Sequence, residues 1–166
     1  MKTISILSLI FLFSLSALAQ SDCACCSTSH SEFDFWIGDW EVFTPENVKL
    51  GENTVSKIEK DCIVTEYWRG ASGLTGRSFN YFDVSDSTWN QLWLDSGGSN
   101  LKLKGKANQE SMVLQSELKR GKKISWYYDR ITYTKIDENT MSQLWEILDT
   151  HESRVSIVFD GVYRRK

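Results

Sequence analysis

The sequence is poor in proline and in histidine, and the shortage of histidine limits the catalytic mechanisms that the chain can support. It has a single proline and two histidines, His30 and His151. A nucleophilic serine or cysteine needs a nearby histidine as its base, but His30 lies in a cysteine- and serine-rich segment and His151 lies between two predicted strands. Acid–base chemistry by Glu66 and Asp95 would need burial to shift their pKa values, and no motif points to it. We therefore predict no catalytic residue and no cofactor.

Long apolar runs are also scarce. After the first twenty residues, no segment approaches the roughly 20 apolar residues that a membrane helix needs. Residues 1–19 begin with a lysine at position 2, continue through a short apolar core and end Ala17-Leu18-Ala19, which is a signal-peptidase recognition pattern. Cleavage there makes Gln20 the first residue. The residues before Cys23 do not fit a lipid-anchor site. We expect an exported protein, periplasmic or secreted.

An excess of positive charge is missing as well. Loss of Lys2 with the leader changes 19 basic residues to 18 against 22 acidic ones, so the net charge changes from -3 to -4. This balance disfavours nucleic acid as a partner. A single proline and seven tryptophans argue against a disordered chain. The remaining residues suit one domain, which we divide into a tail at 20–32 and a folded domain at 33–166.

Four cysteines are present, and three of them cluster in the tail at positions 23, 25 and 26. A bridge between the neighbours Cys25 and Cys26 would strain the peptide, so a link from this cluster to Cys62 has the easier geometry. Oxidation is compatible with export. The cluster together with His30 is also a candidate for Cu(I) or Zn, although its spacing matches no standard zinc pattern. We predict a mobile tail with zero to two disulfides and no metal site.

From residue 33 onward, turn residues recur at the short spacing of an all-β protein. Short connections favour antiparallel neighbours in an up-and-down order, and such strands can close into a barrel without leaving an edge. The fold prediction from these patterns is an all-β, roughly ten-stranded antiparallel up-and-down barrel. Its ten predicted strands are 34–43, 52–59, 62–68, 76–83, 88–95, 100–106, 110–118, 123–135, 139–148 and 153–164.

Strict alternation of leucine and lysine in the segment 101–106 sets the inside and outside of this barrel. The leucines take one face and the lysines take the other, which must meet water. Further apolar residues are predicted to point inward from the following strand and from the last strand. They are Met112, Leu114, Leu118, Val155, Ile157, Phe159 and Tyr163.

Several motifs together resemble an exported bacterial family of lipocalin-like proteins of unknown function. They are Phe33-Asp34-Phe35-Trp36-x-Gly38-Asp39-Trp40, Cys62 with Glu66-x-Trp68, Trp89-x-Gln91-x-Trp93-x-Asp95, Gln143-Leu144-Trp145-Glu146 and Phe159-Asp160-Gly161-x-Tyr163-Arg164. The resemblance covers about residues 33–166 and implies a calycin-type barrel with an export signal, but it implies no reaction or ligand. The chain departs from the family at Val155, where a tryptophan is common.

In lipocalins generally, an arginine from the end of the barrel stacks across the tryptophan of a Gly-x-Trp motif in the first strand. The resemblance implies this role here for Gly38, Trp40 and either Arg164 or Arg165, and Arg164 is our first choice. Gly38 gives the backbone a tight passage, and Trp40 fills the base of the barrel. We interpret the stacking as structural, because a cation–π contact stabilises closure of the barrel.

Polar side chains occur where an ordinary core would be apolar, and large aromatic residues flank them. Such a lining favours a ligand or ordered water, because unpartnered buried polar groups are costly. We predict a small, partly apolar ligand, with tryptophans as walls and polar residues as orienting groups. An internal Glu66–Arg130 ion pair in a filled barrel is the simpler alternative. The predicted ligand-binding residues are Glu66, Trp68, Gln91, Trp93, Arg130, Gln143 and Trp145.

Two further functions are compatible with the sequence. A haem-binding barrel of the nitrobindin kind shares ten strands, and its axial ligand in the domain would have to be His151. A structural or interaction barrel would have a filled core and would meet its partner through the loops Gly70–Gly76 and Ser96–Ser99. An internal cavity distinguishes ligand binding from the filled barrel.

Overall fold

The computed structural model describes residues 23–122 and 124–166, and the predicted leader at 1–19 lies outside the described residues. The described residues form antiparallel strands joined mostly by short turns. The bounds are α1 Thr28–Ser31, a 3-10 helix Asp34–Trp36, β1 Gly38–Phe43, β2 Lys49–Ile58, β3 Ile63–Gly70, β4 Thr75–Asp83, β5 Thr88–Asp95, β6 Asn100–Asn108, β7 Ser111–Gln115, β8 Lys119–Arg120, β9 Trp126–Lys135, β10 Thr140–Leu148 and β11 Arg154–Arg165.

In the part of the chain that the structure describes, ten of these strands close into an antiparallel barrel, which confirms the fold prediction. The strand order is β10-β11-β1-β2-β3-β4-β5-β6-β7-β9, and pairing of β9 with β10 completes the ring. The two-residue strand β8 pairs with the start of β9 beside this ring. Among the described residues, no helix is long and apolar enough to cross a membrane.

The predicted first strand, 34–43, begins too early. Asp34–Trp36 form a 3-10 helix, and β1 starts at Gly38. Residues three apart in such a helix point the same way, whereas in a strand they would point to opposite faces. Phe33 and Trp36 are therefore both buried, and their rings stack with centroids 4.8 Å apart. Together with Trp40 they form what we call the barrel base.

Trp40 fills this barrel base as predicted. It is almost fully buried, and its Nε1 donates a hydrogen bond to the Trp36 carbonyl oxygen at 2.9 Å. The arginine over its ring is Arg165, 4.3 Å from the ring centroid, so the first choice of Arg164 was wrong. Arg164 instead lies over Phe43, because it pairs with Glu41 on the opposite face of the ladder. Arg165 also covers Gly38, where a Cβ would overlap the guanidinium.

The leucine–lysine alternation sets the inside of the barrel correctly. Leu101 and Leu103 are buried while the intervening lysines are exposed, and Met112 and Leu114 continue the inner face. Other predicted inward positions were wrong: Leu118 lies beyond the end of β7 and is exposed, as are Val155 and Ile157. The β10–β11 register shifts between Trp145 and Glu146, which changes which residues of β11 face the interior.

The cysteine-rich segment packs against the barrel and is not a free tail. The predicted link to Cys62 is confirmed as Cys25–Cys62, and Cys23 pairs with Cys26. With all four sulfurs in disulfides, the segment offers no thiolate to a soft metal, and the described residues contain no other cluster suited to a metal ion. His30 is buried against the edge of Phe82, and its Nδ1 lies 2.7 Å from Ser27 Oγ.

Candidate functional site

The end of the barrel opposite the barrel base contains a cavity of about 260 Å³. This is the liquid volume of roughly nine water molecules. The cavity has two zones: aromatic side chains form its walls, and polar side chains deeper in the barrel form what we call the cavity floor. Its lining residues are Glu66, Trp68, Leu74, Gln91, Trp93, Asp95, Leu101, Ile131, Tyr133, Gln143, Trp145, Val158, Phe159 and Tyr163.

Two of the walls are tryptophans whose indoles cover glycines on neighbouring strands. The Trp93 indole covers Gly76 of β4, where a Cβ would overlap the ring. The Trp68 indole covers Gly51 of β2, where a Cβ would stand 2.8 Å from its Cη2 atom. The absence of these two side chains therefore gives the indoles room against the barrel wall. Phe159 meets Trp68 edge to face, with ring centroids 5.8 Å apart.

A third wall, Trp145, is fixed by a hydrogen bond. Its Nε1 donates to Asp129 Oδ1 at 2.8 Å. Asp129 is buried and also forms an ion pair with Lys119 on β8. The short strand β8 therefore contributes to the site indirectly, because its lysine neutralises the carboxylate that holds the indole.

The cavity floor is a continuous network of buried side-chain hydrogen bonds. Glu66 accepts one hydrogen bond from Asn53 Nδ2 and one from Ser78 Oγ, each at 2.8 Å. Asn80 Nδ2 donates to Ser78 Oγ and to the carbonyl oxygen of Val64, both at 2.9 Å. Because the carbonyl oxygen is only an acceptor, it fixes the orientation of the Asn80 amide.

The orientation of the Asn80 amide in turn fixes the orientation of the next residue of the floor, Gln91. Asn80 Oδ1 must accept, and it does so from Gln91 Nε2 at 2.8 Å, while the same Nε2 donates to the Tyr133 hydroxyl at 2.9 Å. Both hydrogens of the Gln91 amide are then used, which leaves its Oε1 as an acceptor at the cavity. On the other side, the Tyr163 hydroxyl donates to Gln143 Oε1, and this leaves the donor Nε2 of Gln143.

Burial changes the acidity of this floor. Loss of solvent raises the pKa of Glu66 from 4.5 to about 7, although the hydrogen bonds from Ser78 and Asn53 partly oppose the rise. Burial and the nearby Glu66 raise the pKa values of Tyr133 and Tyr163 well above 10, so both phenols keep their protons at neutral pH. Near neutrality, Glu66 is therefore the group of this floor that gains or loses a proton.

Of the seven predicted ligand-binding residues, six line the cavity: Glu66, Trp68, Gln91, Trp93, Gln143 and Trp145. Arg130 does not. Its neighbours Asp129 and Ile131 are buried on the inner face of β9, so Arg130 lies on the outer face, where it donates to Gln115 Oε1 and pairs with Glu152. The proposed Glu66–Arg130 ion pair is therefore wrong, because the partners of Glu66 are uncharged.

The sequence reasoning missed Asn53, Ser78 and Asn80, and gave Tyr133 no role. Each lies at an inward position of a strand, which is the one local signal that marks them. The segments around them are ordinary alternating strands with no motif. Their connection to Glu66 depends on the register of β2–β3 and β3–β4, where Val55 and Ser78 lie opposite Glu66.

His151, the candidate axial ligand of the haem-binding alternative, lies in the exposed turn between β10 and β11 and does not line the cavity. The turn is organised by Asp149, whose Oδ1 accepts hydrogen bonds from the backbone amides of His151 and Ser153. The cavity-lining residues include no histidine, cysteine or methionine among the described part of the chain. The site therefore does not fit a haem that needs such an axial ligand.

The fold and this site define a class: an antiparallel ten-stranded barrel, counted over the described residues, with an aromatic-walled internal cavity, consistent with a lipocalin-like fold. No protein-family model matches the chain, and no curated protein sequence matches it.

Proposed function

We propose that this chain is an exported, lipocalin-like binding protein that holds a small molecule with an apolar or aromatic body and a polar end. The observation that carries the proposal is the division of one cavity into aromatic walls and a hydrogen-bonded polar floor. Binding sites for small molecules typically combine a mostly apolar lining with a few fixed polar groups. The volume of about 260 Å³ suits a compact ligand.

The orientation of the floor supports a specific fit of the polar end. Gln91 offers an acceptor and Gln143 offers a donor, and each is held by a neighbouring tyrosine. Because the side-chain amides of Gln91 and Gln143 are already fixed before binding, little binding free energy is lost in ordering them. The flat faces of Trp68, Trp93 and Trp145 suit a planar or chain-like apolar body.

Export to the periplasm or the extracellular space is part of the proposal. The leader pattern at 1–19 supports it, and so do the two disulfides, because such bonds persist in oxidising compartments.

The alternative of an interaction barrel, with a filled core and partner-binding loops, has weaker support. The loops after β3 and β5 are hydrogen-bonded to each other through Thr75 and Ser96, and Leu74 and Asp95 beside them line the cavity.

Calorimetric titration with three probes of similar shape tests the proposal: phenethyl alcohol, phenethylamine and phenylacetate. We expect at least one of them to bind the wild-type protein. Trp93→Ala should weaken that binding about tenfold or more, because a desolvated aromatic contact of the ligand is lost. Trp126→Ala is the matched control, since this indole is half-exposed and outside the cavity, and it should bind like the wild type.

Two results would overturn the proposal. One is that no probe binds and that small molecules of other shapes also fail to raise the melting temperature, since ligands of the folded state stabilise it. The other is that Trp93→Ala and Trp126→Ala weaken binding equally, which would move the binding site away from the cavity.

A further inference from the structure

Glu66 is a buried carboxyl group whose partners are all uncharged. Asn53 and Ser78 donate to its two oxygens. Among the described residues, those that line the cavity include no lysine, arginine or histidine. An ionised carboxylate offers about four acceptor positions, so two remain for a further donor. A buried charge is costly unless it is paired, which makes a positively charged group the most favourable partner that a ligand can bring.

The walls above Glu66 favour the same charge. Ring faces carry partial negative charge and attract cations, and tryptophan does so most strongly. Trp68, Trp93 and Trp145 line the cavity on three strands, and Phe159 joins them from β11. Gln91 Oε1 adds a second acceptor to the lining of the same cavity. Aromatic faces, a carboxylate and an amide oxygen are the groups that recognise an ammonium ion.

We propose that the ligand of this cavity is a small organic ammonium, with its charged nitrogen at Glu66 and its apolar or aromatic body between the three tryptophans. The proposal rests on the function proposed above and adds the charge of the ligand. Gln143 Nε2, a donor, would face an oxygen atom or the ring of such a molecule and not its nitrogen.

The groups around Glu66 make the effect of pH simple to interpret. The neighbouring strands β2 and β4 face it with Asn53 and Ser78, which do not titrate. The titratable groups that face it across the cavity are Tyr133 and Tyr163, which stay neutral because burial raises their pKa values well above 10. Asp95 lies farther out along β5 and uses its Oδ1 for the backbone amides of Gly97 and Ser99.

The sign of the pH dependence then reports the charge of the ligand. An ammonium binds the ionised form of Glu66, whose pKa without ligand is about 7. Its affinity should rise as the pH increases towards 7 and should fall about tenfold for each pH unit below it. A neutral acceptor or an anion would bind the protonated form, and its affinity would change in the opposite direction.

The test compares phenethylamine with phenethyl alcohol by calorimetry at about pH 6 and about pH 8, where an alkylamine with a pKa near that of lysine stays protonated. At the higher pH we expect the amine to bind about tenfold or more tightly than the alcohol. Glu66→Gln should remove this preference and the pH dependence, because the amide preserves the shape of the side chain but carries no charge. Glu46→Gln, an exposed carboxylate, controls for the loss of one negative charge and should behave like the wild type.

The outcomes separate the two proposals. Equal or tighter binding of the alcohol, or amine binding that weakens with rising pH, overturns the ammonium inference and leaves the binding function standing. An amine preference that survives in Glu66→Gln also overturns it. Failure of both probes to bind counts against the inference, and against the binding function as well if phenylacetate and other small molecules also fail.

Discussion

At the scale of single residues, Glu66 links the cavity to the stability of the whole domain. Its folded-state pKa of about 7 lies above the unfolded value of 4.5, so the folded protein holds the proton more tightly. The contribution of Glu66 to the stability of the folded protein is therefore fully present below about pH 4.5, and this contribution is lost as the pH rises through 7. The shift corresponds to about 3 kcal/mol of unfolding free energy.

We predict that wild-type protein is less stable at about pH 8 than at about pH 5, and that Glu66→Gln abolishes most of this difference. Urea unfolding at both pH values, with ligand absent, measures it. A partly exposed carboxylate such as Glu52 acts in a separate pH range, because lysines lower its pKa to about 2 and its contribution to stability is lost in more acidic solution. A wild-type stability that rises from pH 5 to 8 would contradict the assignment.

Substitution of Trp40 tests the structural role of the barrel base, just as substitution of Glu66 tests the role of the cavity floor. It is 1% exposed and contacts Tyr163 and Arg165. Trp40→Ala should lower the unfolding free energy by about 3–5 kcal/mol, the usual range for removing a core aromatic. Trp68→Ala is the comparison, because this indole faces the cavity and leaves less packed contact behind. Equal urea midpoints for Trp40→Ala and the wild type would exclude a structural barrel base.

At the scale of elements, the Cys25–Cys62 disulfide joins the segment before the barrel to the turn between β2 and β3. This segment carries α1 and leads into Phe33, which is fully buried. The sequence separation of 37 residues predicts a large loss of entropy in the unfolded chain, worth roughly 4 kcal/mol at room temperature.

Replacing Cys25 and Cys62 together by serine should therefore lower the melting temperature more than replacing Cys23 and Cys26, whose separation is 3 residues. The shorter loop constrains the unfolded chain far less. Mass spectrometry of the oxidised protein should also recover a peptide with Cys62 linked to the segment that contains Cys25. A free Cys62 thiol in the folded protein would contradict the pairing.

The strands show which inward-facing residues a local pattern of alternation can predict and which it cannot. Alternation predicts Leu101 and Leu103 correctly, because two-residue periodicity is a property of the strand itself. It fails at Ile157 because a change of register in the β10–β11 ladder alters the facing of β11. It fails at Arg130 because an error of one residue in the alternation exchanges the inner and outer faces along the whole of β9.

At the scale of the whole molecule, the barrel was predictable and the cavity only in part. Short turns, alternating strands and the motif around Trp40 suffice for the fold. Most of the lining was also predictable, because one inward residue identifies every second residue on its strand. The floor was not, since Asn53 and Ser78 lie 13 and 12 residues from Glu66 and meet it only through strand register. Register depends on turn geometry and long-range packing, which a single sequence does not specify.

The pairing of β1 with β11 has a consequence for how the protein reaches this structure. Trp40 lies opposite Arg165, so the ring closes between residues near the two ends of the described chain. Until β11 has emerged and docked, β1 has an open edge, and a barrel with such contacts folds slowly because distant segments must meet. The described barrel cannot be completed on a ribosome that still holds its last strand. Closure is therefore a late event that follows the synthesis of β11.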